Sequence, residues 1–157
     1  MRETVVEVSG SRWQIHKMTP LDGSYIWQRL MNAVYKAQDD HPVKESEAGS
    51  ERRAEEAVAK ATPEERLRTL CGIAFLQLSR EDMGFAQRAA MLVTSHMETL
   101  AGQPEQPMPV MLTDGRWACP LLEEDPMLVT RLTVEALVFS LLPFLAESGP
   151  GRSSQAA

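Results

Sequence analysis

Three histidines, His16, His41 and His96, are the first residues to weigh for metal or acid–base chemistry. None has a second histidine or cysteine three or four residues away, the spacing that would put two ligands on one helical face. Asp39-Asp40-His41 is the densest hydrophilic cluster, but it opens a segment with few apolar anchors. Ligand geometry cannot be preorganised there, so it reads as a solvated charge run. Glu123-Glu124-Asp125 resembles a carboxylate pair for acid–base work, yet an acidic bias at the start of a helix explains it more simply through the helix dipole. Cys71 and Cys119 belong to no spaced set and read as buried free thiols. A phosphate-cradling glycine loop and the Gly-x-Ser-x-Gly elbow are both missing from the sequence, and Gly149-Pro150-Gly151 has no helix after it. The residues therefore indicate a non-enzymatic chain with no cofactor or metal.

Methionine is abundant, with nine residues. Met83, Met91, Met97, Met108 and Met111 fall in or beside the middle helices. Flexible thioethers repack around varied apolar partners, so such a surface suits protein binding, and they also fill cores. Both readings stand at this level. The stripe Met83, Ala86, Ala90, Val93 and Met97 is the expected protein-binding face.

Composition bounds the rest. With 43% hydrophobic residues, 157 residues suffice for one core without staples. A net charge of −6 argues against nucleic acid, which needs a clustered basic face. The N-terminus lacks the uninterrupted apolar stretch of an export signal. The most apolar segment, Leu132 to Ala146, contains Glu135 and Pro143 and is shorter than the ~20 residues that span a bilayer. A cytoplasmic location without membrane contact is expected.

The elements that must position these residues form an α+β, mainly α, domain over residues 1–147. Thr4 to Val8 and Arg12 to Lys17, joined by Ser9-Gly10-Ser11, predict an N-terminal β-hairpin. Thr19 as cap and Pro20 at the first helical position start a helix running to about Gln38. Residues 39–61 read as a mobile charged insert. Thr62-Pro63-Glu64-Glu65 is a capping box, and Leu67, Leu70, Cys71, Ala74, Phe75 and Leu78 give the helix after it one apolar face. Ser79 caps a third helix, expected to continue through Met97. Val110-Met111-Leu112 and Arg116-Trp117-Ala118 flank Thr113-Asp114-Gly115 as a second short hairpin. Asp125-Pro126 opens a last helix, apolar nearly all round, which Pro143 should kink or end. Residues 148–157 read as a disordered tail.

This order of elements resembles the tail assembly chaperones of tailed bacteriophages and prophages. The resemblance is carried by Val5-Val6-Glu7-Val8 with Gly10 and Trp13, by Lys17-Met18-Thr19-Pro20-Leu21-Asp22 leading into a helix, by Val110 to Trp117, and by the apolar helix with Leu137-Val138-Phe139. It covers residues 3 to 146 as architecture, and its motifs are generic. It implies a small non-enzymatic protein of the host cell cytoplasm that binds and solubilises the tape measure protein, or another tail protein, during tail assembly. The insert at 39–61 departs from that pattern. A structural virion component, such as a tail completion or connector protein, and another acidic chaperone, such as a type III secretion chaperone, are the alternative readings. A homo-oligomer is compatible with each.

Overall fold

The sheet begins with a two-residue turn. Ser9 and Gly10 both have positive φ, 54° and 76°, the mirror-image turn whose twist matches that of paired strands. It joins β1 (Glu3–Val8) to β2 (Ser11–His16) in an antiparallel register with Val6 opposite Trp13 and Thr4 opposite Ile15. Val6, Val8, Trp13 and Ile15 share the face turned to the helices, where Trp13 and Ile15 are fully buried. A computed structural model of the chain describes residues 2–40 and 61–147. The bulk of the charged insert expected at 39–61 and the tail at 148–157 lie outside those residues, while Asp39 and Asp40 end the first helix.

Helix α1 (Pro20–Asp40) starts where capping chemistry puts it, with the Asp22 amide donating to Thr19 Oγ1 at 3.2 Å. Helix α2 (Pro63–Gln77) carries the full capping box: Glu65 N–H donates to Thr62 Oγ1, and Thr62 N–H donates to the Glu65 carboxylate. Leu67, Cys71, Ala74 and Phe75 are its buried face. Helix α3 (Arg80–Leu92) is capped by Ser79, whose Oγ accepts from the Asp82 amide.

Here the structure departs from the sequence pattern. The third helix stops at Leu92, and Thr94–Glu98 form strand β3, so His96 and Met97 lie on a strand. The threefold and fourfold apolar spacing that suggests helix is shared with an alternation at Thr94 and His96, and the pairing partner decides between them. Ile15 opposite Thr94 and Trp13 opposite His96 complete a sheet that β2 alone would leave open. Thr94 also turns its hydroxyl back to the Ala90 carbonyl at 2.7 Å, a bond that competes with helix continuation.

Strand β3 pairs with β4 (Gln106–Pro109), giving the sheet order β1-β2-β3-β4, antiparallel throughout. The hairpin expected around Thr113-Asp114-Gly115 exists, with Met111 bridged to Trp117 and Gly115 at φ 87°. It extends the chain beyond β4 and is not itself a strand pair of the main sheet.

After the single turn α4 (Pro120–Glu123), α5 (Pro126–Glu147) opens with Asp125 Oδ1 accepting from the Leu128 amide at 3.0 Å. This explains why an acidic residue stands there. The helix touches α1, α2, α3, α4, β1 and β2. Leu132, Thr133, Ala136, Leu137 and Leu141 are fully buried. It runs through Glu147, past Pro143, so proline removes one helical amide without ending the helix. Its stretch Pro126–Pro143 is, by length and composition alone, long and apolar enough to cross a membrane, which the shorter window at Leu132 to Ala146 did not suggest; half of it is buried within the fold. The buried Ser140 hydroxyl accepts from the Met18 amide at 3.1 Å, which ties the link between β2 and α1 to the last helix.

Leu141→Asp should cost several kcal/mol, because it places an unpaired carboxylate where no water reaches. That is comparable with the ~5–15 kcal/mol total of a typical domain. The variant is expected in the insoluble fraction; equal solubility and melting temperature would show that this helix is not the centre of the core.

Candidate functional site

The stripe expected to bind protein does not form one open face. Ala86 and Ala90 are buried in the core, Met83 and Val93 are half-buried against it, and Met97 sits on β3. The accessible concavity on α3 lies one face further round. Gly84, Gln87, Arg88 and Met91 recur at spacings of three and four and so line one side of the helix. They face Met111, Gly115 and Trp117 of the 110–118 hairpin, with Val129 of α5 between, and enclose a cleft of about 240 Å³.

The local reasons are visible in the sequence. The tight turn at Gly115 brings Trp117 back opposite Met111, and the Leu112 amide donates to the Arg116 carbonyl at 2.9 Å. Asp114 fixes the turn by accepting from the Arg116 amide and guanidinium. Gly84 keeps the opposite wall low: a Cβ there would meet nothing within 4 Å. A glycine inside a helix costs about 1 kcal/mol against alanine, so it stands here against local propensity. The cleft floor is a fully buried methionine, Met91, and its rim holds Arg88 and Gln87. Next along the chain from Met91 and Met111 come Leu92, 44% exposed, and Leu112, 42% exposed. The volume is below the roughly 300 Å³ at which small-molecule pockets begin and is that of a single side chain, and the exposed lining is more polar than apolar, with Gln87 and Arg88 beside Met111 and Trp117. Sequence reasoning missed this arrangement; its signals were a glycine in mid-helix and a tryptophan just after a hairpin turn.

A second cleft, of about 430 Å³, lies between the end of β1 and helices α2 and α5, bordered by Glu7, Val8, Ser9, Arg68, Arg131, Val134 and Glu135. Arg68 donates to both Glu135 oxygens, at 3.2 and 2.9 Å, and to Glu64 at 3.2 Å. The Glu135 hydrogen bond, opposed by partial burial and helped by Glu64, raises the Arg68 pKa above its already high ordinary value. This guanidinium therefore serves as a permanent cross-link between α2 and α5.

The titratable groups weighed from the sequence stay dispersed. His16 is 3.6 Å from Glu3, and His96 packs its ring 4.6 Å from that of Trp13, 3.3 Å from Glu98. His41 lies outside the described residues, and among the described ones no three potential metal ligands converge. Cys71 and Cys119 are buried and unbridged. Between α1 and α3, Tyr25 donates to Asp82 at 3.0 Å, stacks edge-on with Phe85, and lies under the Arg29 guanidinium, which is 3.8 Å from Asp82. These contacts satisfy one another and lock the two helices together. No protein-family model, curated protein or solved structure matches the chain.

Burial pushes the Cys71 thiol up to about 12, against a smaller opposing pull from Arg68. The folded state therefore keeps a proton that the unfolded chain releases near its ordinary value of 9.0, and stability must fall as pH rises from the lower value towards the higher. Cys71→Ala should lose this part of the alkaline destabilisation, measured as the difference between wild-type and variant urea midpoints across that range. Native Cys71 should also resist alkylation that unfolded chain undergoes readily. Parallel pH profiles would show that the thiol is accessible in the folded state.

Proposed function

We propose that this chain is a non-enzymatic tail assembly chaperone, which binds the tape measure protein in the host cytoplasm and keeps it soluble until the tail tube assembles. The observation that carries the binding part is the cleft between α3 and the 110–118 hairpin, where Met111 and Trp117 stand over Met91 and whose size suits a side chain. A long helical client exposes apolar side chains that would otherwise associate, and covering them moves the client into the soluble pool by mass action. Met111 and Trp117 offer an inserted apolar side chain an adaptable wall, and Gln87 and Arg88 at the rim can bond the backbone or polar groups beside it, which suits a client offering many similar segments. The net charge of −6 favours solubility of the loaded complex. The identity of the client rests on the resemblance in element order. The protein-binding stripe moves accordingly from Met83, Ala86, Ala90, Val93 and Met97 to the adjoining face with Gly84, Gln87, Arg88 and Met91.

Coexpression with the cognate tape measure protein should raise the soluble yield of that client without added nucleotide or metal. Gly84→Leu, whose new side chain would fill the cleft from an otherwise open position, should remove most of this gain while leaving the melting temperature within a few degrees of wild type. Moderate salt should not release the client, since screening weakens charge contacts and leaves apolar burial in place. Failure of the wild type to improve client solubility over an empty vector would remove the chaperone reading. Recovery of the chain in finished particles would favour a structural virion component.

A further inference from the structure

The two edges of the sheet differ in what they offer a new strand. Hydrogen-bond parity follows from three observed bonds: Lys17 N–H to the Arg2 carbonyl, His16 N–H to the Val93 carbonyl, and Val110 N–H to the Thr94 carbonyl. With the registers given above, Arg2, Thr4, Val6 and Val8 direct their backbone groups to β2, whereas Glu3, Val5 and Glu7 direct theirs away from the sheet. On β4 the inward positions are Gln106 and Met108, and the outward ones are Pro107 and Pro109. Proline has no amide hydrogen, so the β4 edge lacks donors at both outward positions and cannot template another strand. The β1 edge has no such block. Val5 is 43% exposed at its centre, and β1 is terminal in the strand order.

We propose that the β1 edge is a docking site for an extended segment of another protein, added antiparallel, with basic, apolar and basic side chains at the alternating positions opposite Glu7, Val5 and Glu3. Charge selects the occupant. Glu7 has no ion pair among the described residues: Arg12, opposite it on β2, is bound to Glu105. Among the described residues Glu3 is paired with His16 alone, at 3.6 Å. Cross-strand carboxylates and cations on one face attract, and like charges repel. A second copy of β1 in full antiparallel overlap would set Glu3 against Glu7 at both ends, so the edge is biased against self-pairing. Space is present as well. The 430 Å³ cleft opens beside Glu7, Val8 and Ser9, where Val8 and Val134 would receive an uncharged inward side chain of the added strand; of its two arginines, Arg68 is neutralised by Glu135 and Glu64, and Arg131 reaches Ser9 at 3.5 Å. The site is separate from the Met91–Trp117 cleft and does not depend on the chaperone reading.

The test uses the full chain and a synthetic peptide in which lysine, valine and lysine alternate with threonine. Titration followed by amide exchange should show binding that slows exchange at Glu3, Val5 and Glu7. The same peptide with glutamate for lysine should bind about tenfold or more weakly, and binding should weaken with salt. Val5→Pro removes an outward amide without touching a β1–β2 hydrogen bond, so the variant should fold and lose the peptide. Glu3→Lys combined with Glu7→Lys should reverse the preference between the two peptides. Equal binding of the lysine peptide by folded Val5→Pro would overturn the proposal. So would a wild-type dimer that Val5→Pro converts to monomer, since a second copy would then hold the edge.

Discussion

Helix α5 has apolar side chains around much of its circumference, so it is stable in water only when covered on several sides. Burial of one stripe is enough for an ordinary surface helix; this one requires helices and a sheet together. α1, α2 and α3 supply the helical cover, and the face of β1 and β2 bearing Val6, Val8, Trp13 and Ile15 supplies the remainder. The strict alternation in β2 and the stripes in α1 and α2 are therefore consequences of one demand. The remaining polar atoms of the helix are handled locally. Thr133 returns its hydroxyl to the Val129 carbonyl at 2.7 Å, Ser140 serves the Met18 amide, and Glu135 is matched by Arg68. Among the described residues no buried side-chain nitrogen or oxygen lacks a partner, as a core of low dielectric demands.

The Arg68–Glu135 pair shows how a charge is tolerated on such a helix. Neither side chain is fully buried, so the desolvation cost stays moderate, and two parallel hydrogen bonds fix the relative rotation of α2 and α5. Its value lies in register more than in net stability. Below it, Cys71 packs in surroundings that keep its thiol protonated, so a chemically reactive residue type becomes a small apolar core element.

What was legible in the sequence was whatever depended on neighbours within a few residues. The hairpin turn at Ser9-Gly10, the cap at Thr19, the box at Thr62 and Glu65, and the cap at Asp125 are short-range chemistry, and each is found where the residues place it. Strand β3 was not legible, because Thr94 to Glu98 satisfies both periodicities and only pairing with Trp13 and Ile15, some eighty positions earlier, chooses one. The burial of the stripe was equally hidden. Ala86 and Ala90 lie within the helix whichever residue ends it, and they are buried because the core packs against their face. Small residues mark close packing as readily as a groove, and the distinction needs the opposing wall, here a hairpin contributed from residues 110–118.

The way β3 arises also accounts for the unequal edges of the sheet. A strand drawn from the end of a helix leaves the chain at Glu98 with no long apolar run ahead, and the return strand Gln106–Pro109 is short, exposed and proline-rich. Prolines at its two outward positions close that edge at no cost to the ladder, because neither nitrogen is needed for pairing with β3. At the opposite edge the first strand is under a different constraint. Val6 and Val8 must reach α5, so β1 has to hold a regular six-residue extended conformation in full register with β2. Proline at its inward-bonding positions would break that register, and two of the three outward positions, Glu3 and Glu7, carry charge instead. Glutamates at positions 3 and 7 repel an identical strand while leaving the backbone donors intact. An edge protected by charge is closed only to partners of the same sign, whereas an edge protected by proline is closed to all.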